Sequence, residues 1–314
     1  MTAGVPMTLE PALLRGRARY ERRIHGWSDD ADADTFTHTV RIADPARAVE
    51  VEVVATPSPA YAIRAARCRA LEGDVDPAVG ARVAALAGTA MVAGLTRRVA
   101  EAAGGGRGAA LLVDAMVEAA RLSRQVTKMP PERAARAAGS DPWECWQLDT
   151  TGWIDLPDSC FTYSEAGRRL FGTRTIAAAS TVELYCPRPG QQKVFERRKV
   201  LRLERRDGRL ALFHSMHDNV HGFEVTYEID VTTGRIVKAE HVTPRLPYAG
   251  LCSEPQRRIG ALLGETVDDG LRKRIQAHLG GPAGCAQLYD LTADLLKLLT
   301  QDTSAEPGRA ASWG

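Results

Sequence analysis

The chain has 314 residues, a formal charge of +2, 44% hydrophobic and 25% charged residues. That balance argues against a dedicated nucleic-acid binder, whose basic face shows as clustered Lys and Arg, and no apolar run nears the roughly 20 residues of a membrane helix. The N-terminal stretch lacks the apolar core of a signal peptide, and six scattered cysteines without a C-x-x-C pair suit free thiols in a reducing compartment. The expected location is the cytoplasm.

Residues 1–19 read as a loose leader and residues 303–314 as a frayed tail rich in Ser, Ala and Gly. Between them lie a first unit (20–127), an aromatic-rich insert (128–194) and a second unit (195–302). The units are expected to be tandem repeats because positions recur. Tyr20-Glu21-Arg22-Arg23 returns as Phe195-Glu196-Arg197-Arg198, and Ala55-Thr56-Pro57 with Tyr61 returns as Val242-Thr243-Pro244 with Tyr248. Leu86, Gly88, Gly94, Leu95, Arg98, Gly104, Gly105, Gly108, Leu112 and Asp114 return at one spacing. Their counterparts are Leu262, Gly264, Gly270, Leu271, Arg274, Gly280, Gly281, Gly284, Leu288 and Asp290. A fixed spacing of this kind is the signature of a repeated supersecondary unit.

In the first unit the alternation Val49-Glu50-Val51-Glu52-Val53 predicts a half-buried strand. Pro130-Pro131 ends the helical stretch before it. The insert then carries Trp143, Trp146 and Trp153 in PWECWQLDTTGWIDLPDSCFTY. Such aromatic density suits the wall of a pocket or a dimer interface; a β-extension packed over both units is the other reading. Arg197–Arg198 and Arg205–Arg206 read as solvated strand edges. In the second unit, Phe223 to Ile229 predicts a strand, Asp230 to Gly234 a turn, and Arg235-Ile236-Val237-Lys238-Ala239 the returning strand of an antiparallel hairpin. Leu271, Ile275 and Leu279 predict a helix closed by Gly280-Gly281. A last helix starts near Gly284-Cys285 and buries Leu288, Leu291, Leu295, Leu298 and Leu299. The fold class is therefore α+β, a tandem duplication of a β-hairpin-plus-helices unit joined by an aromatic-rich insert.

The candidate chemistry lies in the second unit. His221 opens a strand, Cys252 follows the Pro247-Tyr248 loop, and Cys285 opens the last helix after a glycine-rich turn. A thiol at a helix N-terminus meets unpaired N–H groups and the positive end of the macrodipole, which favour thiolate. In the first unit Ala109 stands for Cys285 and Ala65 is the approximate counterpart of Cys252, so the site is expected in the second unit alone. Small buried hydrophobes are the bland reading of the same cysteines. His217 and His221, four apart with Asp218 between them, are expected on one face of a strand. With the two thiols they make a speculative zinc or iron ligand set: His221, Cys252, Cys285 and His217. His214, His241 and His278 read as surface or packing residues.

These residues resemble the bacterial family catalogued as domain of unknown function 2889. Its pattern is a His opening a strand that ends in Asp, a Pro-Tyr-x-x-Cys loop, a Leu-x-Gly turn, a Gly-Gly pair and Gly-Cys-x-His-Leu. Here the matching residues are His221 to Asp230, Pro247-Tyr248 with Cys252, Leu262-Leu263-Gly264, Gly280-Gly281 and Gly284-Cys285-Ala286-Gln287-Leu288. Cys252 comes one residue later than the pattern has it, and Gln287 replaces the pattern's His, which removes one metal ligand and leaves a group able to hydrogen-bond a substrate. A more distant likeness is to the U-type iron–sulfur cluster scaffold, on which Cys252 and Cys285 match two cysteine ligands and His221 stands in for a third.

The expected function is that of a cytosolic enzyme of bacterial small-molecule metabolism, acting on an organic substrate such as an acyl thioester. Cys285 is the candidate nucleophile, His221 the general base and Cys252 their partner, with Tyr248, Gln287 and Trp153 as substrate-binding residues. The alternative is a non-catalytic scaffold that holds a metal or ligand at the same place. The expected partners are a small-molecule ligand and a second copy of the chain, with no nucleic acid and no membrane.

Overall fold

The computed structural model describes residues 9–150 and 156–301; Trp153 lies outside the described residues. The chain is α+β and divides into two compact units. Among the described residues, the N-terminal unit holds Arg22–Lys128 and Glu183–Arg197, and the C-terminal unit holds 9–21, Met129–Val182 and Arg198–Gln301.

In chain order the elements of the first half are β1 (Arg19–Asp30), β2 (Phe36–Ala43), β3 (Ala48–Ala55), β4 (Ile63–Glu72), α1 (Pro77–Arg82), α2 (Leu95–Ala103) and α3 (Ala109–Ser123). The strands form antiparallel pairs in the order β4-β3-β2-β1. Helix α3 lies against β2 and β3 and buries Leu111, Leu112, Ala115, Met116, Ala119 and Leu122. It comes so close to the sheet that a Cβ on Gly26 would stand 2.8 Å from Leu122 Cδ1. Two buried arginines face the helix: Arg22 donates to Asp114 at 2.6 Å and Arg197 meets Glu118 at 3.4 Å. Arg197 is therefore no solvated strand edge. Its strand turns it inward, and a buried cation is tolerated only against a carboxylate.

The insert is built of short helices: α4 (Pro131–Ala134), α5 (Pro142–Thr150), α6 (Glu165–Arg168) and α7 (Val182–Tyr185), with the two-residue β5 (Ala177–Ala178). This corrects the β-extension reading. Among the described residues its one strand pairs with β10 (Tyr248–Ala249).

The second half runs β6 (Phe195–Arg206), β7 (Arg209–Asp218), β8 (Gly222–Asp230), β9 (Ile236–Arg245), β10, α8 (Ser253–Gln256), α9 (Leu271–Leu279) and α10 (Ala286–Thr300). The sheet order is β6-β7-β8-β9. The turn after β8 forms as its sequence dictates. Asp230 Oδ1 accepts from the N–H groups of Thr232 and Thr233, and Gly234 takes a positive φ of 66°. Helix α10 buries the five predicted leucines, each contributing roughly 1.5–3 kcal/mol. Three buried polar ties fix its register on the sheet: His214 Nδ1 donates to Leu291 O at 2.9 Å, Tyr227 Oη and Thr292 Oγ1 lie 2.7 Å apart, and Lys199 donates to Asp294 at 3.2 Å. The leader is not wholly loose, because Leu9 N donates to Val231 O and Leu13 and Leu14 are buried.

Several elements of the two halves have equal lengths. Strands β1 and β6 have 12 residues, β4 and β9 have 10, α2 and α9 have 9, and α3 and α10 have 15. Individual bonds recur too. Arg98 Nη2 donates to Ala90 O at 2.9 Å, and Arg274 Nη2 donates to Thr266 O at 2.7 Å. Gly88 N donates to Ile63 O and Gly264 N to Ile236 O, both at 2.8 Å. Ile63 thus corresponds to Ile236, so the Thr56-Pro57/Thr243-Pro244 pairing fails: the former follows β3 and the latter lies within β9. Ala65 sits in β4 and does not correspond to Cys252. The N-cap of α1, Asp76, occupies the position that Cys252 takes at α8.

Candidate functional site

Three loops of the C-terminal unit each bring a cysteine to one place. Cys160 precedes a short 3-10 turn, Phe161–Tyr163; Cys252 caps α8; Cys285 caps α10. Phe161 N donates to Gly284 O at 2.8 Å, which ties the first loop to the third. Thr162 Oγ1 lies 3.0 Å from Cys252 Sγ, which ties the first to the second. Gln256 Nε2 donates to Cys252 O at 3.2 Å, and its side chain also bonds Cys285, so it spans the second and third. Gln256 is 1% exposed, and its Oε1 has no hydrogen-bond partner among the described residues.

Local sequence explains each placement. Cys285 takes an extended conformation and its sulfur accepts from Leu288 N at 3.5 Å, the geometry of a helix N-cap. Gly284 before it is packed so tightly that a Cβ would fall 2.0 Å from Leu279 O. The tight passage lets Cys285 N reach Leu279 O at 2.7 Å. The aromatic insert braces the Cys160 loop: Trp146 Nε1 donates to Thr162 O at 2.8 Å, while Trp146 stacks on Trp143 with centroids 5.2 Å apart. Asp149 accepts from Tyr163 Oη at 3.0 Å and from Tyr248 Oη at 2.5 Å. Tyr248 is fully buried and its hydroxyl donates to Asp149, which makes it a strut between the loops. Gln287 is partly exposed on the first turn of α10.

The thiols are protonated at neutral pH. Burial pushes Cys160 up to about 11, with repulsion from Cys285 adding to it. Burial also raises Cys252, against the Thr162 bond, with both other thiols reinforcing the rise. Cys285 is raised by burial although Leu288 N, the Gln256 side chain and Gln287 N oppose it. The expected thiolate at the helix terminus is thus corrected: desolvation outweighs the few N–H groups there.

The histidines are arranged differently from the expected set. His217 is the last residue but one of β7, half-exposed and 3.5 Å from Glu224. His221 lies across a reverse turn from it, closed by Asp218 N donating to His221 O at 2.9 Å. The two do not share a strand face, because Asp218 folds the chain back: its Oδ1 accepts from Val220 N and His221 N. His221 Nδ1 donates to Asp218 at 3.0 Å and its ring tilts against Phe223. His221 makes no hydrogen bond to Cys252 or Cys285 among the described residues. Nor does any group of three or more His, Cys, Asp and Glu among them stand ready to hold a metal ion. The zinc or iron set of His217, His221, Cys252 and Cys285 is therefore not assembled.

A cleft of about 490 Å³ opens beside the thiol loops. Phe161, Pro255, Pro282 and Ala283 supply its apolar wall, each one or a few residues from a cysteine of the cluster. Asp158, Glu165, Glu254, Ser164 and Arg258 line it as well. Arg258 Nε is committed to His278 O at 2.6 Å. Glu165 is bonded to Arg168 at 2.7 Å and Glu254 to Arg174 at 2.8 Å.

Residues 204–301 match the model of the family described as protein of unknown function, DUF2889. The match covers Cys252, Gln256 and Cys285. It leaves Cys160, Thr162 and Asp149 outside. No curated protein and no solved structure matches the chain, and the likeness to the U-type scaffold finds no support. Among the described residues no helix is long and apolar enough to cross a membrane. Cys160, Thr162, Asp149 and Gln256 are the site residues that sequence reasoning missed. Gln256 alone carried a signal, four residues after Cys252 and on the same short helix.

Proposed function

We propose that the C-terminal unit binds a small organic ligand bearing a positive charge, in the cleft beside Cys160, Cys252 and Cys285. The observation that carries this reading is the cleft itself, walled by the three loops that the thiol cluster ties together. Its volume suits a small molecule. Its rim holds three carboxylates, of which Glu165 and Glu254 are already paired with Arg168 and Arg174. Asp158 has no side-chain partner among the described residues, and a ligand amine would supply one. The protonated thiols support a binding role over nucleophilic attack in the resting protein. The test is isothermal titration of the purified chain against matched panels of small amines and carboxylic acids. Binding confined to amines, weakened at least tenfold in Asp158→Asn, is expected. Uniform lack of binding, or preference for acids, overturns the reading.

The Asp218–His221 pair favours a second reading, a general-base site in the same unit. A carboxylate that holds Nδ1–H leaves Nε2 as the basic nitrogen, the arrangement of a catalytic His. A nitrogen-detected NMR spectrum of His221 supports it by showing the Nδ1–H tautomer, which Asp218→Asn converts to a mixture; an Nε2–H ring counts against it.

A further inference from the structure

The peptide group that leaves Cys160 is hydrogen-bonded to the peptide group that enters Cys285, through Phe161 N and Gly284 O at 2.8 Å. Both cysteines are extended, with φ, ψ of −157°, 175° and −126°, 118°. The Phe161–Gly284 bond joins the residues next to the two cysteines, and Cys285 lies close enough to act electrostatically on the Cys160 thiol; a disulfide needs Cα atoms about 4.4–6.8 Å apart. Cys252 stands beside both and is bonded to Thr162, whereas the backbone bond from the Cys160 loop runs to the turn before Cys285. Cys160 is partly exposed, whereas Cys252 and Cys285 are buried. Cys68, Cys145 and Cys186 take no part in these contacts.

We propose that Cys160 and Cys285 form a reversible disulfide when a hydroperoxide reaches the cleft. Cys160, the less buried residue of the pair, loses its proton and attacks the terminal oxygen of the peroxide. The O–O bond breaks, an alcohol (or water, from hydrogen peroxide) leaves, and Cys160 becomes a sulfenic acid. The Cys285 sulfur then attacks the Cys160 sulfur. The S–O bond breaks, the hydroxyl leaves as water with the Cys285 proton, and the S–S bond forms. The protein gives up two electrons and two protons, and the peroxide oxygen ends as water. The bridge fastens the insert loop to the N-terminus of α10 along one wall of the cleft, so oxidation acts on the ligand site without requiring any particular ligand. Attack by the thiolate form makes the step slow at neutral pH and faster as pH rises.

The experiment uses the full chain, reduced, desalted and exposed to hydrogen peroxide at pH 7.5 and 9. Free thiols are then alkylated and the protein is digested without reductant for mass spectrometry. A Cys160–Cys285 cross-linked peptide is expected, two hydrogens lighter than its reduced parts, formed several-fold faster at pH 9 and reversed by dithiothreitol. The wild-type chain carries the test, so no variant needs to fold. Cys252→Ser is expected to retain the bridge, and Cys285→Ser to arrest oxidation at Cys160 as a sulfenic acid trapped by dimedone. A dominant Cys160–Cys252 or Cys252–Cys285 bridge, pairing through Cys68, Cys145 or Cys186, or six unoxidised thiols would each overturn the proposal.

Discussion

Thr162 Oγ1 and Cys252 Sγ lie 3.0 Å apart, joining the insert to the cap of α8 in the buried floor of the C-terminal unit. The bond links a residue outside the matched family segment to one inside it. Replacing the hydroxyl with a methyl of similar size leaves a buried thiol without its partner. Thr162→Val is expected to cost about 1 kcal/mol in urea denaturation, and Thr162→Ser less than half of that. Equal losses for the two variants would show that the methyl packing matters and the bond does not.

Asp149 is a larger dependence. One buried carboxylate receives two tyrosine hydroxyls, so its removal takes a hydrogen bond from each. Asp149→Ala is expected to destabilise by about 3 kcal/mol, and Tyr248→Phe by about 1–2 kcal/mol. The combined variant should lose less than the sum, because the two changes remove one shared bond. A double-mutant cycle read by denaturant melts checks this, and strict additivity would contradict the network.

Much of the C-terminal unit was legible because its signals are local. The four-residue period of Leu271, Ile275 and Leu279 gave the bounds of α9, and Asp230 to Gly234 gave its hairpin turn. The glycine spacing located Cys285 at a helix cap, opposite Ala109 at the start of α3. What escaped depends on distant partners. Arg197 looks like any basic strand residue until Glu118 is seen beneath it. Cys160 has no repeat counterpart, and bonds between distant loops, such as that of Phe161 to Gly284, bring it to Cys285. The Ala65 assignment failed because β4 and β9 correspond at one chain offset and the caps Asp76 and Cys252 at another. The loop between them is longer in the second unit and carries β10. His217 and His221 were misplaced because a two-residue turn at Asn219-Val220 breaks the strand period between them.

The raised thiols make stability depend on alkaline pH. Below about 9 the thiols are protonated in both folded and unfolded chains, and they contribute no pH dependence. As pH climbs from about 9 toward the value near 11 for Cys160, the unfolded chain releases its proton while the folded chain keeps it. The folded state then binds more protons, so stability falls over that window. The limit for Cys160 alone is about 2–3 kcal/mol, and Cys252 and Cys285, shifted in the same direction, add to it. Urea melts under reductant at steps from pH 8 to 10.5 should show the wild type losing stability faster than Cys160→Ala. Parallel curves would mean that the Cys160 thiol is not desolvated in solution.

Gly284 gives the sharpest structural test of the site. Its φ of −116° is open to any residue, so the argument for glycine here is space. A Cβ would stand 2.0 Å from Leu279 O and 2.6 Å from Gly280 O, both backbone atoms unable to rotate away. Gly284→Ala must therefore shift the turn between α9 and α10. That movement breaks the bond from Phe161 N to Gly284 O and the bond from Cys285 N to Leu279 O, which together set the position of Cys285. A loss of roughly 3 kcal/mol or more is expected, in the range of the larger single-site effects. Gly264→Ala is the control: its φ is +84°, yet nothing lies within 4 Å of the added Cβ. It should lose only about 1 kcal/mol, the cost of a left-handed alanine. Gly284→Ala should also raise the alkylation rate of Cys285, as the cap loosens and the sulfur meets solvent, whereas Gly264→Ala should leave that rate unchanged. Similar stability losses in the two variants, with Cys285 equally protected in both, would show that the turn before α10 is not held by this close passage.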